Sequence, residues 1–356
     1  MTPVEAEGGQ VPRIPLTPRQ HQILSATVRS YIETAEPVGS KTLAANFNLG
    51  VSSATIRNIL ATLEQSGFLF QPHTSAGRIP SDSGYRVYVD HLLTRPDRPA
   101  WPPIDPEFHA NFHDNLDGML RKAAQILSSL SGCMAVVTAP QPASVAIRHL
   151  QLVDVSTDRI MVLVVTDSYQ THSLLVEIPE GSLTKGESDL QVISNFLNLK
   201  LRGKTFADLQ DLGWLQLDQE LRCYTHWLEN LLSVLAQRYL KPQVGQVFTA
   251  GMMELTRYPE FAQAQQIQSI LQVLEDDQEA LGTVLAPQEG LLVYIGTENP
   301  LEPMRRCTLI VSSYSQGSLP LGTLCLLGPT RMAYEHALAS IQATSHHLSS
   351  TLSRCA

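Results

Sequence analysis

The chain of 356 residues is long enough for two or three domains, each able to bury its own core. Its 43% hydrophobic and 17% charged residues exclude a chain disordered throughout. A formal charge of −9 argues at first sight against a partner with a phosphate backbone.

Residues 1–15 carry Glu5, Glu7, Gly8 and Gly9, without a basic start and apolar core, so a disordered tail is expected there and no secretory signal. Thr17-Pro18-Arg19-Gln20 then starts a helix. Thr17 caps it, Pro18 fits its first position and Gln20 completes a capping box. Leu24, Val28 and Tyr31 form its buried stripe. A second helix from Ser40 is expected to bury Leu43, Ala44 and Phe47, and the turn Asn48-Leu49-Gly50-Val51 follows. Ser52 or Ser53 caps a third helix. Its apolar positions Ile56, Ile59, Leu60 and Leu63 leave Ala54, Asn58, Ala61 and Gln65 on the opposite face, flanked by Thr55 and Arg57.

Helix, short turn, helix is the pattern in which the second helix of the pair enters the major groove of DNA, although an ordinary helical corner has the same spacing. Small Ala54 and Ala61 permit close approach, Asn58 matches an adenine edge, and Arg57 matches guanine or phosphate. No acidic residue lies between Pro37 and Ala61. Phe68-Leu69-Phe70 is strand-like, and the polar loop from Gln71 to Pro80 pivots on Gly77, as at the end of a winged helix. Ser81 caps a closing helix that packs Tyr85, Val89 and Leu92. The candidate DNA contacts are Ser40, Lys41, Ser52, Ser53, Thr55, Arg57, Asn58, His73, Thr74, Ser75 and Arg78. For Arg78 a plain surface residue or a salt bridge to Asp82 is the competing reading. From Arg13 to Arg95 eight basic residues face five acidic ones, so the head is +3 and the remainder −12. Few phosphate contacts per head favour a dimer that doubles them.

Five prolines between Thr94 and Pro106 mark a linker. A helix is expected within 107–130, followed by strands at Met134–Thr138, Ile147–Val155, Ile160–Thr166 and His172–Ile178. The pattern turns helical from about Ser188 to Tyr239. Strands return at Leu291–Ile295, Arg306–Ser313 and Gly322–Leu327, ahead of a last helix from about Arg331. A helical block inside a β-rich pattern suggests an insertion into one α+β domain. Within the block Leu221, Tyr224, Leu228, Leu231, Leu232, Leu235 and Tyr239 form an amphipathic stripe suited either to a twofold mate or to packing inside the chain.

Five scattered cysteines without a CxxC pair read as buried thiols of a reducing cytoplasm, and no apolar run approaches the roughly 20 residues of a membrane helix. Gly328-Pro329-Thr330-Arg331 offers either backbone donors for an anion or simply a turn and cap for the last helix. His149, His172 and the pair His346-His347 supply no metal set. With no nucleophile elbow, phosphate loop or HExxH helix, neither enzyme activity nor a cofactor is expected.

The run PVGSKTLAANFNLGVSSATIRNILATLEQSGFLFQPHTSAGRIPSDSGYRVYVD at 37–90, with IGTENP at 295–300 and LGPTRMAY at 327–334, resembles the HrcA family of bacterial heat-inducible transcription repressors. That resemblance spans nearly the whole chain from Leu16. It implies a repressor of chaperone genes that binds an inverted-repeat operator as a homodimer, is kept active by the GroE-type chaperonin, and is released on heat stress. It also implies an α+β multidomain chain: a winged-helix head (16–93), a linker (94–106), a GAF-like domain in two parts (107–187 and 251–356), and an inserted helical dimerising domain (188–250). Because GAF-like bodies often hold a small ligand, a metabolite-sensing DNA-binding regulator is the alternative.

Overall fold

The computed structural model describes residues 16–74, 76–94, 116–140, 146–156, 159–167, 171–177, 187–206, 208–209, 230–235, 246–276, 278–288, 290–317 and 319–355. They fall into two compact units. The first comprises the head up to residue 100 together with Tyr294–Thr308 and Gly328–Ala337; the second comprises Trp101–Val293, Leu309–Leu327 and Leu338–Ala356.

In the first unit, α1 (Pro18–Thr34) starts with the expected capping box: Thr17 Oγ1 accepts from the Gln20 amide, and the Gln20 side chain accepts from the Thr17 amide at 2.8 Å. Its buried face carries Ile23, Leu24 and Val28. Helix α2 (Ser40–Asn46) buries only Leu43; Ala44 is exposed and Phe47 half-buried, and Leu49 in the turn takes the inner position instead. Helix α3 (Ser53–Gln65) buries Ile56, Leu60 and Leu63, the one-face spacing of an amphipathic helix.

Strands β1 (Leu69–Phe70) and β2 (Ile79–Pro80) form a short antiparallel ribbon, widened by a bridge between Val38 and Arg78. Gly77 is required by that bridge, because a Cβ would lie 2.5 Å from the Pro37 and Val38 backbone. Helix α4 (Asp82–Thr94) begins where Ser81 Oγ accepts from the Gly84 amide at 3.2 Å, and it buries Tyr85, Tyr88 and Val89.

The second unit contains α5 (Leu116–Ser131), β3 (Met134–Thr138), β4 (Ile147–Ser156), β5 (Arg159–Thr166), β6 (Thr171–Glu177), α6 (Glu187–Leu201), β7 (Val247–Ala250), α7 (Met252–Thr256), α8 (Ala264–Asp276) and α9 (Gln278–Val284). Strands β8 (Leu291–Ile295), β9 (Cys307–Gln316) and β10 (Leu319–Pro329) and helix α10 (Tyr334–Cys355) are shared by sequence between the units. One sheet runs β7-β3-β10-β9-β8, with β3 antiparallel to both neighbours. Every residue of β3 is buried, as in a strand covered on both faces. Tyr314 reaches across from β9, its hydroxyl donating to the Thr138 carbonyl at 2.7 Å, and Gly322 leaves the space for its ring.

The strands 147–177, expected in the first part of the GAF-like domain, do not join that sheet. They form their own antiparallel sheet, β4-β5-β6. Alternation along β5 puts Ile160, Val162 and Val164 on the face that packs against Ile193, Leu197 and Leu201 of α6. The open edge of β4 is closed by side chains: Asn198 donates to the Leu150 carbonyl at 2.6 Å and accepts from its amide at 2.7 Å, and Ser194 accepts from Leu152. Packing therefore groups strands β4, β5 and β6 with α6 and residues 230–235 rather than with β3.

That packing also takes up three of the seven residues of the predicted dimer stripe. Leu231, Leu232 and Leu235 are buried in this same core, so their own chain already covers them. Leu221, Tyr224, Leu228 and Tyr239 lie outside the described residues. The far face of the sheet instead shows an apolar row, Val153–Met161–Leu175, in which Val153 is 37% and Leu175 49% exposed. Cys133, Cys307 and Cys325 are free and buried, and burial pushes each thiol up to about 12. Among the described residues no helix is long and apolar enough to cross a membrane.

Candidate nucleic-acid interface

The open face of α3 begins at Ser52, whose Oγ accepts from the Thr55 amide at 3.2 Å and satisfies one of the orphan donors of the first turn. With the buried side anchored by Ile56, Leu60 and Leu63, rotation at about 100° per residue leaves Ala54, Thr55, Arg57, Asn58, Thr62 and Gln65 exposed. Ser40 and Ser53 approach through their hydroxyls at 3.2 Å, joining the start of α2 to that of α3. Lys41 is exposed beside them. Six predicted contacts, Lys41, Ser52, Ser53, Thr55, Arg57 and Asn58, thus belong to one helix pair, with Ser40 as its internal tie. Arg19 was not among the candidates, yet it donates to the Leu49 carbonyl at 2.7 Å and secures the turn between the two helices.

At the ribbon tip His73 and Thr74 are exposed, and Ser75 lies outside the described residues. Gln71 fixes the loop from within, its amide donating to the Thr74 and Ala76 carbonyls at 2.9 Å each. Arg78 is placed differently from a loose phosphate contact. Its guanidinium pairs with Glu64 at the end of α3 at 2.8 Å, and its side chain is only 19% exposed. The competing partner Asp82 does not take it. Arg78 thereby braces the ribbon against α3, through its side chain to Glu64 and through its backbone to Val38. Nothing in the spacing pointed to Glu64, because the partners are brought together by the ribbon's return and not by a helical i,i+4 step.

Away from α3, several charges of the first unit are paired. Asp82 Oδ2 accepts from the Thr297 amide and hydroxyl, both at 3.0 Å. Arg86 holds Glu298 with two nitrogens, one donating to Oε1 at 2.8 Å and the other to Oε2, which also accepts from the Ile295 amide. Arg29 pairs with Glu335 at 2.5 Å, and Tyr88 donates to the same carboxylate oxygen. Burial pulls the Arg86 pKa down, but the bond and charge of Glu298 and the charge of Asp90 more than restore it, leaving it raised. Tyr334 is buried among these groups. Its ring lies 5.9 Å from that of Tyr85 and 6.3 Å from that of Tyr88, and burial raises its pKa well above the ordinary tyrosine value.

Comparison with known proteins agrees over almost the full length. The family described as "HrcA protein C terminal domain" matches residues 117–338. A "Heat-inducible transcription repressor HrcA" of Synechococcus sp. (strain JA-3-3Ab) is 51% identical, covering 96% of this chain and 100% of the relative. One from Trichormus variabilis is 47% identical with the same coverage. A crystal structure described only as a hypothetical protein has a TM-score of 0.61 at 24% identity, covering 96% of this chain and all of that one, and so shares the fold. The chain belongs to the HrcA family, whose curated members are named heat-inducible transcription repressors.

Proposed function

We propose that this chain represses chaperone genes by binding an inverted-repeat operator as a homodimer. In this reading α1 to α4 with the β1–β2 ribbon work as a winged helix-turn-helix, α3 is the recognition helix, and the ribbon is the wing. The observation that carries it is the solvent-open side of α3. Thr55, Arg57 and Asn58 are exposed there, and no acidic residue lies from Pro37 to Ala61 to repel phosphate. Arg57 and Asn58 then read base edges, Lys41, Ser52, Ser53 and Thr55 meet the backbone, and His73 and Thr74 extend contact to the flanking groove. Arg78 supports the wing.

The sheet β7-β3-β10-β9-β8, with α5 and α10, is assigned as the GAF-like domain. The sheet β4-β5-β6 with α6 and helical residues 230–235, inserted between β3 and β7, is assigned as the dimerising part. The Val153–Met161–Leu175 row is the apolar surface that a second copy would cover. Sedimentation as a monomer at micromolar concentration would remove the dimer from this account. The protein acts in the cytoplasm, without a cofactor, and depends on the GroE-type chaperonin to regain its active fold after heat.

Footprinting on the DNA upstream of the host's chaperonin genes tests the whole. Wild type should protect an inverted repeat, Arg57→Ala and Asn58→Ala should each lose about 1–3 kcal/mol of base discrimination, and protection after mild heating should return faster with chaperonin. Equal protection by all three proteins at fixed salt would sink the repressor assignment. Equal recovery with and without chaperonin would sink the chaperonin step alone.

A further inference from the structure

We propose that Arg29, Asp82 and Arg86 are positioning residues for operator binding: with Glu335, Thr297 and Glu298 they form a polar latch that fixes α1 and α4 on the segments 294–308 and 328–337, so that two heads engage two half-sites together. The proposal rests on the repressor reading above and adds to it a role for side chains that never touch DNA.

The latch groups come from two helices and close on two separate stretches of chain. Arg86 grips Glu298 in the two-pronged way that specifies direction as well as charge, and Asp82 takes both donors of Thr297. Closeness is built into the backbone. Gly296 sits at φ +53°, and a Cβ there would lie 2.3 Å from the Asp82 carboxylate, so only glycine allows Asp82 to reach the Thr297 amide undisturbed. Tyr334 closes the far end, its hydroxyl 2.8 Å from Thr308 Oγ1 and donating to the Thr330 carbonyl at 2.7 Å. IGTENP supplies Thr297 and Glu298, and LGPTRMAY supplies Tyr334, just before Glu335. These two runs carry the family resemblance, and neither Thr297, Glu298 nor Tyr334 had a role in it.

If this contact served cohesion alone, apolar side chains would do better, because partly buried charges repay their desolvation poorly while making a geometry unique. Arg86 and Glu298 are 27% and 34% exposed, enough burial to incur that cost. None of the latch groups lies on α3 or in the ribbon, and the α3 face is exposed while the latch is closed, so the latch does not block reading. Its segments continue directly into other elements: β8 ends at Ile295, β9 begins at Cys307, β10 ends at Pro329 and α10 begins at Tyr334. A head held this way meets its half-site already oriented, and the second contact of a dimer becomes an intramolecular event.

The test uses the full chain, with Arg86→Glu, Glu298→Arg and the double swap, titrated by fluorescence anisotropy onto the inverted repeat and onto a single half-site at one salt concentration. Each single reversal should weaken the inverted repeat by about 10- to 100-fold and the half-site by no more than about twofold, and the double swap should restore most of the loss. Equal loss on both DNAs would reduce the latch to plain folding of the head, and tighter binding to the inverted repeat would make it inhibitory; either overturns the proposal. Glu298→Gln, which keeps shape and removes charge, should show the same pattern at about three- to tenfold if the reversals do not fold. Arg57→Ala is run beside them. Should that variant leave both affinities untouched, the repressor reading fails and not the latch alone.

Discussion

On α3, Arg57 stands exposed with no ion pair among the described residues, while on α1 and α4 Arg29 and Arg86 are each tied to a glutamate. The two sides of one small head therefore treat the same residue type in opposite ways. A cation that already has a partner must give it up to bind a phosphate, whereas an exposed one exchanges only water and counterions. Counting charge along the sequence hides this. Of the head's eight basic residues, Arg29, Arg78 and Arg86 are engaged by carboxylates, and Arg19, Lys41 and Arg57 are exposed around the α2–α3 pair. On the repressor reading, what would equip this face for DNA is the placement of three cations and not a surplus of +3.

The contrast breaks most sharply if the open face can be emptied without harm to the fold. Arg57→Ala combined with Asn58→Ala should lower operator affinity by about 2–6 kcal/mol in anisotropy titrations, while the unfolding free energy from urea titration changes by no more than about 0.5 kcal/mol. A loss of stability matching the loss of affinity would make α3 an ordinary structural helix. Salt dependence sharpens the count of free cations: about three phosphate contacts per head give a log–log slope near −3 for a half-site and roughly twice that for the inverted repeat. A slope near −5 per head would mean that the paired arginines also bind phosphate.

On the paired side, Gly296→Ala forces a left-handed alanine and pushes on Asp82, so about 1–2 kcal/mol of stability should disappear with half-site affinity intact. Arg78 is the boundary case. If it is a brace, Glu64→Ala and Arg78→Ala should each cost about 1 kcal/mol, and the double variant no more than either alone. Additive costs, with a weaker salt slope for Arg78→Ala, would return Arg78 to the DNA. The smallest effect is a null one. At pH 8 a thiol held near 12 is ionised only to about one part in 10⁴, so Cys133, Cys307 and Cys325 should resist alkylation in the native protein and label fully in urea. Rapid native labelling would show those cores to be open.

Most of this head was legible because its signals are local. Thr17-Pro18-Arg19-Gln20 caps α1, and the spacing of Ile56, Leu60 and Leu63 set which side of α3 faces out. Strand positions were legible too, with Met134–Thr138 and Leu291–Ile295 recovered to the residue. Sheet membership was not. Strands 147–177 alternate in the same way whichever sheet they join, and only long-range pairing assigns them to α6. Leu231, Leu232 and Leu235 had an apolar stripe's spacing, which is the same for an intrachain core as for a twofold interface, and the structure chose the core. The partners Arg86–Glu298 and Arg78–Glu64 were silent in the sequence because no helical or strand period connects them.

Among the bonds of Asp82, the one to the Thr297 amide joins residues 215 positions apart. Such an amide exchanges its hydrogen with solvent only when that side chain lets go. Thr297 therefore reports each opening of the Asp82 contact, readable by deuterium uptake in free protein, in the presence of operator, or during a temperature ramp, with no substitution.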